Sequence, residues 1–162
     1  MREGFTSLTK DNKFWLGRAY EEAAAEGDFE ELDRFEEIGV HVNDTGALTS
    51  ALLAKSEALV LHLLERGADP NPREGDNTPP LVFAVWRMKP MVVEKFLEMG
   101  ADVDVEQGFP LQAAAGSGRI DIVKLLLEAG ADPSIRTSEG KTAADIARDE
   151  GHQECAALLE SS

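Results

Sequence analysis

LLERGADPN, residues 63–71, runs an apolar helical pattern into a glycine and then into a polar turn. Three other stretches align on the same glycine: FEEIGVHVN (35–43), FLEMGADVD (96–104) and LLEAGADPS (126–134). Gly39, Gly67, Gly100 and Gly130 are thus spaced by 28, 33 and 30. Self-similarity near that period decides the architecture before any local assignment. Each glycine ends an apolar helical run, such as Ile122, Val123, Leu126 and Leu127, where a C-terminal cap needs positive φ. Ahead of each run lies a shorter segment rich in small residues: EAAAEGD (22–28), LTSALLAKS (48–56), LVFAVWRMK (81–89) and LQAAAGSGR (111–119). Alanines at the inner positions let a neighbouring backbone come close. A fifth unit, GKTAADIARDEGHQECAALLE (140–160), follows the same plan and stops before its glycine. Two helices alone cannot bury their apolar faces, so the units must stack.

The bulk properties agree with a folded chain. At 162 residues it fits one domain, and 43% apolar residues argue against disorder. The only cysteine, Cys155, excludes an internal disulfide and a four-cysteine zinc site. No apolar run reaches the roughly 18 residues of a membrane helix, and MREGFTSLTKDNKF lacks the apolar middle of a signal peptide. The expectation is a soluble, cytoplasmic protein, with the nucleus open to it in a eukaryote. The net charge of −15 repels nucleic-acid phosphates and anionic lipid heads and would speed association with a basic protein. By itself it equally serves solubility.

The recurring Gly-Ala-Asp at 67–69, 100–102 and 130–132 resembles the ankyrin repeats, as do TPPL (78–81), AAAGSGRIDIVKLLLEAGADP (113–133) and GKTAADIARDEGH (140–152). The resemblance covers about residues 14–160. It implies an all-α solenoid of about five stacked helix–turn–helix units, slightly curved, with short or clipped β-hairpin fingers. Residues 1–13 form a lead-in to a single domain, with repeats at about 14–43, 44–71, 72–104, 105–134 and 135–162. The family's threonine-proline-leucine-histidine motif is nowhere intact. From closing glycine to the next opening residue the family usually has 14 positions, kept from Gly67 to Leu81 and from Gly130 to Ala144. Gly39 to Leu48 is only 9 and Gly100 to Leu111 only 11, so two fingers are clipped. Glu36 and Glu160 replace the leucines Leu64, Leu97 and Leu127 of inner repeats and read as polar outer faces of the end repeats. The first helix is expected after Asp11, with Phe14 and Trp15 covering the open end of the core.

The resemblance further implies a protein-binding module whose partner lies across the concave face and finger tips. Laid on the fourth repeat, Trp86 and Arg87 of AVWRMKPM (84–91) fall on Gly116 and Ser117, two positions the family leaves variable. Trp86 either fills space over the shortened finger or stands as an exposed anchor beside those small residues. Tryptophan and arginine dominate interface hot spots, which favours the second reading. The same slots offer Glu26, Ala54 and Lys55, Ser117, and Asp149 and Glu150. The full fingers add Arg73, Glu74 and Asp76, then Arg136, Ser138, Glu139 and Lys141.

Catalytic chemistry is not visible in the sequence. His41, His62 and His152 fall in different repeats, and no pair has metal-ligand spacing. His152 and Cys155 are i, i+3 neighbours and read as structural. GSGR (116–119) follows a helix instead of a strand, so it lacks the geometry of a phosphate loop. The expectation is a non-catalytic protein without cofactor or metal, monomeric when free, most simply an acidic inhibitor or immunity-type protein that masks a basic protein. A general ankyrin adaptor or regulator is the alternative, and an enzyme with an unrecognised site a third.

Overall fold

The computed structural model describes residues 10–38, 40–44, 46–72 and 78–162, except the side chains of 10–15, 25 and 44. Regular structure among the described residues is helical throughout. The chain forms two compact units, residues 1–69 and 70–162.

The first unit holds α1 (Lys10–Glu26), α2 (Phe29–Glu37), α3 (Ala47–Leu53) and α4 (Glu57–Glu65). α1 packs on α2 and α3, and α3 on α4, around Tyr20, Ala24, Leu32, Ala51, Leu59 and Leu63. Asp28 opens α2 by accepting the Glu31 N–H at 3.0 Å. α1 starts at Lys10, slightly before the expected start after Asp11, an ordinary slip where the first N–H groups have no intrahelical partner. The cap assigned to Phe14 and Trp15 lies outside the described side chains, and Gly39 outside the described residues.

The second unit holds α5 (Pro80–Arg87), α6 (Pro90–Glu98), α7 (Val105–Gly116), α8 (Ile120–Glu128), α9 (Ala143–Asp149) and α10 (Gln153–Glu160). The inner helices α5, α7 and α9 stack in order, α6 and α8 pack behind them, and α10 packs on both α8 and α9. Pro80 and Pro90 take the first helical position, where a missing N–H costs nothing.

The repeated Gly-Ala-Asp now has a physical account. Gly67, Gly100 and Gly130 sit at φ of 85°, 85° and 93°. Their N–H groups return to Leu64, Leu97 and Leu127, and the next alanine's N–H to Leu63, Phe96 and Leu126, the paired bonds of a Schellman cap. The aspartate N–H then meets a side chain from the preceding repeat. Asn43 accepts from Asp69 N–H at 2.6 Å and donates to Gly67 O at 2.9 Å. Asn71 does the same for Asp102 and Gly100, both at 2.8 Å. Asp104 accepts from Asp132 N–H at 3.1 Å and, as a carboxylate, has no proton for a carbonyl.

Two expectations need correcting. No β-hairpin strands occur among the described residues. The first clipped connection is a 3₁₀ turn, Val42–Asp44, and the second folds Glu106, Gln107 and Gly108 into consecutive left-handed conformations at the head of α7. The last finger is a tight turn, with Thr137 N–H to Lys141 O at 2.9 Å and Gly140 N–H to Thr137 O at 2.8 Å. Glu36 is not an outward polar face either. It accepts the Tyr20 hydroxyl at 3.0 Å and a guanidinium N–H of Arg66, whose other arm reaches Asp33. Burial first, then this bond to Glu36, raises the Tyr20 phenol above its ordinary value. Glu160, by contrast, is exposed and pairs with Arg148.

Candidate partner-binding surface

In most repeats the turn between inner and outer helix is marked by a left-handed residue: Gly27, Lys55, Gly118 and Gly151. The two residues before it occupy the last turn of the inner helix and define the slots. They are Ala25 and Glu26, Leu53 and Ala54, Gly116 and Ser117, and Asp149 and Glu150. Lys55, read from the sequence as a slot residue, is therefore the turn residue itself, at φ 55°. The slip is by one position. It arises because no glycine marks the turn in ALLAKSE and lysine adopts the strained conformation instead. The residue missed is Leu53, which is 67% exposed.

The third repeat makes this turn differently. Met88 lies at φ −116° and ψ 170°, and its side chain is buried in the core. Methionine is ill suited to a positive φ, so the chain turns through an extended residue. Carbonyls at the end of α5 are then met from the next repeat. Arg119 donates to Val85 O at 2.6 Å and to Met88 O at 2.8 Å.

Trp86, in the slot before that turn, is 44% exposed. Its ring meets Phe109 edge-on, with centroids 5.6 Å apart and planes at 81°. Phe109 directly follows the left-handed turn that shortens the connection. Trp86 thus rests against the clipped segment and still presents much of its surface. Gly116, one of the small residues in the equivalent slot, leaves little room of its own, because a Cβ there would stand 3.1 Å from Ile146 Cγ2.

The remaining candidates have separate fates. Glu26, Arg87 and Glu150 are exposed. Ser117 is exposed and donates its hydroxyl to Ala113 O at 2.9 Å. Arg136 donates to Gly140 O at 2.7 Å, which ties it to its own finger. Asp149 and Glu139 share Lys141, at 2.8 and 3.9 Å, and the Asp149 partner raises the lysine's pKa. Asp149 therefore spends its charge locally. Arg73, Glu74 and Asp76 lie outside the described residues.

The polar residues suspected of chemistry have structural surroundings. The His152 ring lies where Gly118 leaves room, since a Cβ there would come 2.5 Å from Nδ1. Cys155 is buried, and burial raises its thiol. The His62 ring stands 4.5 Å from Phe29. Among the described residues no group of His, Cys, Asp or Glu could hold a metal ion, and no helix is long and apolar enough to cross a membrane.

Helix pairs closed by Schellman caps and laddered by side chains from the preceding repeat define a helical repeat protein. Residues 81–162 match the family model described as ankyrin repeats in three copies, and the chain belongs to that family. Among similar proteins, the dauer abnormal formation protein 25 of Caenorhabditis elegans is 32% identical over 86% of this chain, which spans 32% of that protein. The E3 ubiquitin-protein ligase Ufd4 of Drosophila melanogaster is 47% identical over 43% of the chain, which spans 3% of it. The ankyrin repeat and SOCS box protein 11 of Pongo abelii is 38% identical over 49%, and the chain spans 25% of it. The chain thus covers a third or less of these relatives. Ankyrin repeats are protein–protein interaction modules, and the chain is one.

Proposed function

We propose that the chain is an acidic inhibitor or immunity-type protein that masks a basic protein partner. The observation that carries this reading is Trp86, a large aromatic left 44% exposed in a slot that the fold does not need filled. Buried aromatic anchors dominate interface energetics, and a tryptophan already braced against Phe109 loses little freedom on binding. The net charge of −15 supplies a field that favours basic partners. Arg87, Ser117 and Glu150 beside or in equivalent slots give the rim polar contacts, with Arg136 and Glu139 on the last finger.

An adaptor role is the second reading, favoured by relatives that are much longer proteins, two of them named for ubiquitin ligation or a SOCS box. One experiment separates the two. Wild-type and Trp86→Ala protein are immobilised, exposed to lysate of the source cells at low salt, and eluted with salt. Basic proteins retained by the wild type and lost by the variant are expected. If the captured protein keeps its own activity with an equimolar amount of the chain bound, the masking role fails and the adaptor remains. Retention of proteins with no basic excess contradicts the charge argument.

A further inference from the structure

The short connection from Gly100 to Leu111 turns through VEQGFP (105–110). Glu106, Gln107 and Gly108 are all left-handed there, at φ 51°, 61° and 76°. Glycine takes that region freely, but two L-residues in succession resist it. Such a turn persists only where its surroundings hold it. Its own backbone gives one bond, from Gly108 N–H to Asp104 O at 2.9 Å. Ile135, from the last finger, closes against Gly108, where a Cβ would stand 3.1 Å from Ile135 Cδ1. The third hold comes from the core. Among the described residues Gln112 stands out as a buried polar side chain, and its amide donates to the Gln107 carbonyl at 3.1 Å. A buried amide without a partner is destabilising, so Gln112 and the turn support each other.

Phe109 leaves this turn and meets the Trp86 ring edge-on, at 5.6 Å between centroids. The same repeat fixes the backbone under Trp86, because Arg119 takes the Val85 and Met88 carbonyls on either side. All these residues belong to the second unit. We infer that Gln112 is a positioning residue for Trp86. Through the left-handed turn it sets the place of Phe109, and Phe109 sets the rotamer of the exposed indole. The fourth repeat thus presents a side chain of the third in one orientation. A side chain already held loses less rotamer freedom when a partner covers it, so the device strengthens binding at Trp86. That consequence rests on the anchor reading given above, whereas the positioning is a property of the free chain.

The test reads the free chain labelled with 5-fluorotryptophan, whose fluorine signals report Trp15 and Trp86. The Trp86 signal is assigned by its loss in Trp86→Phe. Phe109→Leu removes the ring current and gives the signal of an unbraced indole. Gln112→Met, close in size but without the donor, is expected to move the Trp86 signal most of the way to that position or to split it between rotamers. Gly130→Val weakens the same repeat without touching the turn and should leave the signal in place, which tells positioning from general loosening. Glu106→Pro fixes φ near about −65° and so forbids the turn from an exposed position. It should release Trp86 even if Gln112→Met does not fold. A wild-type Trp86 signal in Gln112→Met or in Glu106→Pro overturns the inference. An unchanged signal in Phe109→Leu overturns it too, because the ring contact would then not hold the indole. Movement as expected, alongside undiminished partner capture by Trp86→Ala, supports the positioning and sinks the anchor reading alone.

Discussion

Gly130 and Gly116 are both glycines of the fourth repeat, but different forces hold them. At Gly130 a Cβ would meet nothing within 4 Å, so only its φ of 93° excludes a side chain. Gly130→Val is expected to cost about 1–2 kcal/mol in urea denaturation, the penalty of a left-handed L-residue. At Gly116 the backbone is helical and the neighbour is the half-buried Ile146. Gly116→Ala gains helix propensity and must push one methyl aside, so a net change below about 1 kcal/mol is expected. Arg119 is a stronger single point. Its two charged hydrogen bonds satisfy Val85 and Met88 carbonyls, and Arg119→Ala should cost about 1.5–3 kcal/mol. Arg119→Lys should recover less than half, because one ammonium cannot reproduce the guanidinium fork. Recovery of full stability by lysine would mean that the fork geometry is unimportant.

Helix ends carry the next level of control. Thr142 and Asp145 form a reciprocal cap on α9, with Asp145 N–H donating to Thr142 Oγ1 at 3.2 Å and Thr142 N–H to Asp145 Oδ2 at 3.0 Å. The Thr142 backbone N–H first, then the Thr142 hydroxyl, which donates to Asp145 Oδ2 at 2.8 Å, and then Arg148 hold the Asp145 carboxyl down to about 2. An unfolded aspartate titrates near about 3.9. The unfolded chain therefore binds the extra proton between those values, and stability from this cap is present above about 4 and lost as pH falls through about 2. The melting-temperature gap between wild type and Asp145→Asn should be constant from neutral pH to about 4 and shrink below it. A gap that ignores pH would separate the cap from the carboxylate's charge. The inter-repeat ladder gives a gain instead. Asp104→Asn restores a donor opposite the Gly130 carbonyl, as Asn71 has opposite Gly100, and should raise stability by about 1 kcal/mol by chemical denaturation.

For the whole molecule, charge and anchoring should act on different rates. A net charge of −15 speeds encounter with a basic partner, so rising salt should lower the association rate steeply. Trp86→Ala should cost about 2 kcal/mol or more of affinity, mostly as faster release, with the melting temperature nearly unchanged. Glu150→Lys should slow association and leave release alone. Asp149→Lys is the poorer probe, because it also breaks the Lys141 pair at 2.8 Å. Surface plasmon resonance on a captured partner separates the two effects. A Trp86→Ala variant that melts several degrees lower and binds normally would return the residue to the core.

The repeat period, the capping glycines and the clipped connections were all legible in one dimension, because Gly-Ala-Asp marks a local backbone geometry that recurs wherever the residues do. The acidic character was legible in composition alone, and the candidates of the variable slots in the alignment of the repeats. What the alignment could not reach were interactions set by residues 16 to 30 positions apart. Glu36 looked like an outer face until Tyr20 and Arg66 were seen to converge on it. Gly116 looked open until Ile146 of the next pair was in view. Leu53 was displaced by Lys55 because a lysine can take the left-handed turn that glycine normally announces, and only its φ of 55° reveals this. Local conformation is written residue by residue in the side chains, whereas exposure depends on what the neighbouring repeat places opposite, and stacking alone decides that.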